Sequence, residues 1–110
     1  MIQDQKINEQ SFINKCGKLY PDSKWKDITT VYCNDKKLRT LKGIENFTIL
    51  RYLDCSNNDF RSYRGNGDFV YQYISQFKKL TTLYCVNSGL TKSQKEKIRS
   101  LNIKDLKIDD

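Results

Sequence analysis

The chain has 110 residues, of which 30% are charged, and carries a formal net charge of +7 with no histidine. That length fits one domain with its own core. The mean hydropathy of −0.75, with no apolar run near the ~20 residues of a bilayer crossing, excludes a transmembrane helix.

Residues 1–27 read as an N-terminal cap. Asn8 or Ser11 starts a helix that carries Phe12, Ile13 and Cys16 on one face and ends near Gly17. Pro21 prevents its continuation, and Trp25 opens a new pattern. The opening MIQDQKINEQ lacks the basic and then apolar stretch of a signal peptide. An intracellular location is the expectation, with virion association if the source is viral.

From residue 28 onward the apolar residues recur in phase. Ile28, Val31, Cys33, Lys36 and Leu38 stand where Leu50, Leu53, Cys55, Asn58 and Phe60 stand 22 residues later. Leu80, Leu83, Cys85, Ser88 and Leu90 repeat the phase after 30 residues. Ile103, Leu106 and Ile108 begin a fourth copy. An aromatic lies three residues before each of the first three units: Trp25, Phe47 and Phe77. Ile44 and Ile74 lie three residues before Phe47 and Phe77. These positions are expected to fill a slab between short strands and a returning half.

The longer spacing before the third unit marks an insertion at about residues 61–79. Arg64-Gly65-Asn66-Gly67 reads as a turn. Asp68 is expected to cap a helix DFVYQYISQFKK with Val70, Ile74 and Phe77 on its buried face. A last helix spans residues 91–101, with Thr91-x-x-Gln94 as a capping box and Ile98 and Leu101 facing inward.

Three copies of an LxxLxLxxNxL-like string at a period in the twenties signify stacked repeats. The pattern resembles a leucine-rich repeat, and LKGIENFTIL is similar to the short internalin and SDS22-like class. The strings YCND, DCSNN and YCVNS also resemble Cys-bearing repeats of giant amoebal viruses and some bacteria. The resemblance covers residues 28–108. It implies an α/β solenoid with a parallel sheet of about four strands, begun by Ile28, Leu50, Leu80 and Ile103 and closed by the N-terminal cap.

The family's turn asparagine is present only as Asn58. Ser88 supplies part of its role, whereas Lys36 cannot accept a hydrogen bond. The first turn is therefore expected to be irregular or more solvated. Cys33, Cys55 and Cys85 share one inward position, so they form a column of small core residues rather than a metal or redox site. No metal or cofactor is expected.

Without histidine, a phosphate loop, a nucleophile elbow or a carboxylate pair, catalysis has no constellation to build on. Binding is favoured instead. Period-two alternation puts Thr30, Tyr32, Tyr52, Asp54, Thr82, Tyr84, Asp105 and Lys107 on one surface, the concave face of a leucine-rich repeat. Three tyrosines from adjacent strands supply contact area with polar tips. They should be solvent-accessible, and replacing Tyr52 should leave the fold nearly intact. The expected function is a non-enzymatic protein–protein interaction module, an adaptor or a structural subunit. The alternative is binding to a nucleic-acid phosphate backbone through Lys78, Lys79, Lys92, Lys95, Lys97 and Arg99, since the basic excess leans toward the C-terminal half.

Overall fold

A computed structural model of the chain describes residues 22–60 and 69–109. The helix expected around Phe12, the turn at Gly65 and the Asp68 cap lie outside the described residues. So does most of the expected N-terminal cap. Its last residues form a 3-10 helix, Asp22–Asp27.

Four strands of three residues follow: β1 (Thr30–Tyr32), β2 (Tyr52–Asp54), β3 (Thr82–Tyr84) and β4 (Asp105–Lys107). They form one sheet in the order β1-β2-β3-β4, and every neighbouring pair is parallel. The register joins equivalent residues of the repeat. Val31 pairs with Leu53, Leu53 with Leu83, and Leu83 with Leu106. Each strand begins two residues after the apolar residue expected to start it. Those starters close the preceding turn instead. Ile28, Leu50 and Leu80 each donate their N–H to the carbonyl of the aromatic three residues earlier, at 3.2 Å in all three cases.

The ladder continues beyond the strands through the turns. Cys33, Cys55 and Cys85 donate to Asp54, Tyr84 and Lys107 at 2.8 Å each. Asp35 donates to Ser56, and Asn57 donates to Val86. Equivalent backbone groups of successive units therefore satisfy one another, as buried peptide groups must.

The returning halves differ in form. The first is a single 3-10 turn, Ile44–Asn46. The second is helix α1 (Phe69–Ile74), and the third is helix α2 (Lys92–Arg99). Helix α1 is shorter than the stretch expected from residue 68 to 79. It stops at Ile74 because Phe77 and Leu80 must turn back into the slab, where both are buried. Val70 and Ile74 are buried as expected.

Thr91 caps α2 by accepting the Gln94 N–H at 3.2 Å. The reciprocal half of the capping box is not made. The Gln94 side chain is buried, and its Oε1 has no hydrogen-bond partner. It sits in the slab beside Ile98 rather than reaching back to Thr91.

One core unites the repeats. Val31, Leu38, Leu41, Ile44, Phe47, Leu50, Leu53, Leu83 and Ile98 have no exposed surface. Trp25, Ile28, Leu101, Ile103 and Leu106 are partly buried and pack against that core at the two ends of the row. Trp25 stacks on Phe47, with ring centroids 5.4 Å apart and planes at 22°. Among the described residues, no helix is long and apolar enough to cross a membrane.

The turn chemistry departs from expectation. Lys36 holds the asparagine position of the first unit, yet its turn is not left to solvent. Asn58 of the next unit reaches back 22 residues. Its Oδ1 accepts the N–H groups of Lys36 at 3.1 Å and Leu38 at 2.9 Å. Its Nδ2 donates to the carbonyls of Cys33 at 3.0 Å and Cys55 at 2.9 Å. One amide thus closes two turns. Ser88 does less, giving its hydroxyl to the carbonyls of Cys55 and Val86. The irregularity that remains is backbone strain: Lys37 sits at φ 57, where the third unit places Gly89 at φ 78.

Candidate partner-binding face

With Val31, Leu53 and Leu83 fixed in the core, their strand neighbours must point away from it. The first outward rung runs Thr30, Tyr52, Thr82 and Asp105, and the second runs Tyr32, Asp54, Tyr84 and Lys107. All the residues assigned to this face by parity lie there. The three tyrosines do not share a rung, because Tyr52 lies on the first and the others on the second. They therefore form a zigzag, with Tyr52 one rung away from the other two.

That zigzag is continuous. The Tyr32 and Tyr52 rings are 5.3 Å apart and tilted by 55°. Tyr52 and Tyr84 are 5.6 Å apart with an interplanar angle of 75°. The first pair is tilted and the second is edge-to-face, the latter favoured because each ring is negative on its face and positive at its rim. The Lys107 Nζ lies 5.1 Å from the Tyr84 ring centroid. Tyr84 also donates its hydroxyl to Asp105 Oδ2 at 2.9 Å. Among the described residues, Tyr32 is the large apolar side chain left most open, at 52% exposure. Tyr52 and Tyr84 are half-buried, because each supports its neighbour's ring.

The electrostatics of the row follow from burial together with its two carboxylates. Burial pushes the Tyr52 phenol above its usual range, and the charges of Tyr32, Asp54 and Asp105 add to the rise. For Tyr84 the hydrogen bond to Asp105 is the main cause, followed by burial. Both shifts favour the neutral phenol in the folded chain. Their stabilisation is complete below the ordinary tyrosine value of about 10. It is lost as pH rises through the higher folded values. In an alkaline absorbance titration of the native protein, Tyr52 and Tyr84 should ionise above the ordinary tyrosine value. A single unperturbed transition would contradict the stacked row.

The cysteines stack on the opposite side of the strands. Cys33, Cys55 and Cys85 are buried thiols, and the Cys85 Sγ lies 3.8 Å from the Cys55 carbonyl. Burial pushes the Cys55 thiol well above its usual value, with Cys85 adding to the rise. Such a thiol is a poor nucleophile. Alkylation of the three should be slow in native protein and fast in denaturant. Fast native labelling of Cys55 would show that the slab opens. Among the described residues, no group of three or more His, Cys, Asp or Glu is placed to hold a metal ion.

The basic residues are less concerted. Lys92, Lys95, Lys97 and Arg99 share α2, and Lys78 and Lys79 lie exposed in the turn after α1. Arg99 is paired with Asp109, however. The Lys97 Nζ lies 5.9 Å from the Tyr71 ring centroid, and Lys95 and Lys97 are half-buried. Three of the six are thus partly engaged by the chain itself.

The sequence pattern did not reveal a polar mouth along the turns. It is an open concavity of ≈520 Å³ lined by Lys37, Arg39, Asn57, Asn58, Asp59 and Asn87. Asn87 donates to Asn57 Oδ1 at 3.1 Å along its rim. The equivalence of Asn57 and Asn87 in the repeat was the available signal. Comparison with family models, with curated proteins and with solved structures finds no match to this chain.

Proposed function

We propose that the chain is a short leucine-rich-repeat solenoid whose tyrosine-bearing sheet face binds a protein partner, without enzymatic activity, as an adaptor or a structural subunit inside the cell. The observation that carries this reading is the unbroken row Tyr32–Tyr52–Tyr84, lying outward on parallel strands whose inward positions are filled. An accessible aromatic row is unfavourable in water, and its rings are already held in place by one another. A partner covering it would gain apolar area at small conformational cost. The equivalence of Leu53 with Val31 and Leu83 in the register supports the repeat reading.

Tyr52→Ala tests it. If Tyr52 is a hot spot, partner affinity should fall by about 2 kcal/mol or more. The ring lies between two others, so the fold should lose about 1 kcal/mol rather than nothing. Unchanged affinity would move the site off this face, with residues 61–79 the next place to look. The nucleic-acid alternative predicts instead a steep loss of binding with salt and insensitivity to Tyr52→Ala.

A further inference from the structure

The row has two unlike ends. At the β4 end, Tyr84 already holds a complete set of partners: Lys107 over its ring and Asp105 on its hydroxyl. A cation, a tyrosine face and a carboxylate are gathered there within one chain. At the β1 end a tyrosine face and a carboxylate recur, and among the described residues no cation lies over the Tyr32 ring. Tyr32 is the most open ring, Tyr52 stands beside it at 5.3 Å, and Asp54 pairs with Tyr32 across the strands. Asp54 accepts the Ser56 N–H on Oδ1 alone, at 3.1 Å. Its Oδ2 accepts no hydrogen bond from the described residues. The net charge of the chain is +7, yet the carboxylates of this face outnumber its lysine, and Asp54 and Asp105 both raise the Tyr52 phenol.

We infer that the β1 end of the row receives an arginine side chain from an extended segment of the partner, stacked on Tyr32 and Tyr52 and hydrogen-bonded to Asp54. This rests on the partner-binding reading above and adds the chemistry of what is bound. Arginine fits better than lysine. Its planar guanidinium lies flat on a phenol ring while its edge presents paired N–H donors to a carboxylate. An acidic partner or a phosphate backbone would meet Asp54 and Asp105 with like charge. Lys107 fills the corresponding place at the other end, so one added cation completes the row.

The probe is a phage-displayed random dodecapeptide library, selected on the full chain and counter-selected on the Tyr32→Leu/Tyr52→Ala double variant. Enriched peptides are then made synthetically, each with an arginine-to-citrulline counterpart. Asp54→Asn keeps the oxygen that serves Ser56, so the fold should hold, as equal denaturation midpoints would show. The expected result is enrichment of arginine-bearing peptides. Their affinity should fall about tenfold with citrulline, and similarly with Asp54→Asn. Peptides that need the tyrosines but tolerate both citrulline and Asp54→Asn would overturn this inference and leave the binding face standing. No peptide preferring the wild type to the double variant would overturn both.

Discussion

Asn58→Ala should destabilise the chain by about 3 kcal/mol or more, since several buried polar groups lose their partner at once and each costs about 1–3 kcal/mol. The Lys36 and Leu38 N–H groups lose their acceptor, and the Cys33 carbonyl loses a donor. Leu38 is fully buried, so water could replace the amide there only by entering from the mouth that Asn58 lines. The Cys55 carbonyl is better protected, because Ser88 still donates to it at 2.9 Å. Ser88→Ala is the calibrating variant, and its loss should be about 1 kcal/mol. Asn58→Asp should be nearly as damaging as Asn58→Ala near neutral pH, since a carboxylate would face two carbonyls. Urea midpoints at constant slope measure all three. An Asn58→Ala loss no greater than that of Ser88→Ala would show that the first two turns are not held by one side chain.

Phe47→Ala should cost about 3–5 kcal/mol, the range for removing a buried aromatic side chain. Phe47 has no exposed surface and lies between the inner repeat and Trp25, on which it stacks. Its carbonyl holds the Leu50 N–H, so the turn into β2 depends on its position. Trp25 is the only tryptophan, and its fluorescence should shift to the red as its ring loses its support. A loss below about 1 kcal/mol with unchanged emission would mean that the cavity collapses without affecting the first unit.

The period of the apolar residues made the sheet legible. Leu53-x-Cys55 and its counterparts alternate as a strand buried on one face must, and equal phase implied equal height in the stack. The three-residue step from aromatic to leucine was legible as packing, and the structure adds its backbone reason in the repeated bond from Leu50 to Phe47 and its equivalents. The service that Asn58 gives to the preceding turn was not legible, because it crosses from one unit to the next, whereas Lys36 occupies the asparagine position of its own unit. Nor was the burial of Gln94, whose spacing from Thr91 also fits a cap. The tyrosines were assigned to a face by parity alone. That they form a zigzag rather than a line depends on Tyr52 occupying the first position of its strand and Tyr32 and Tyr84 the third. The pairing of Tyr84 with Asp105 and Lys107 follows from the same register, which parity does not give.

Site-specific photocrosslinking bears most directly on the role of the tyrosine row. A photoreactive phenylalanine placed at Tyr32 should capture a discrete protein in extract from the native source. An excess of unlabelled wild-type chain should abolish that adduct, and an excess of Tyr52→Ala should not. The same group at Lys95 on α2 should give no such adduct. Capture from Lys95 alone, nuclease-sensitive adducts, or equal competition by Tyr52→Ala would contradict a protein-binding role for this face.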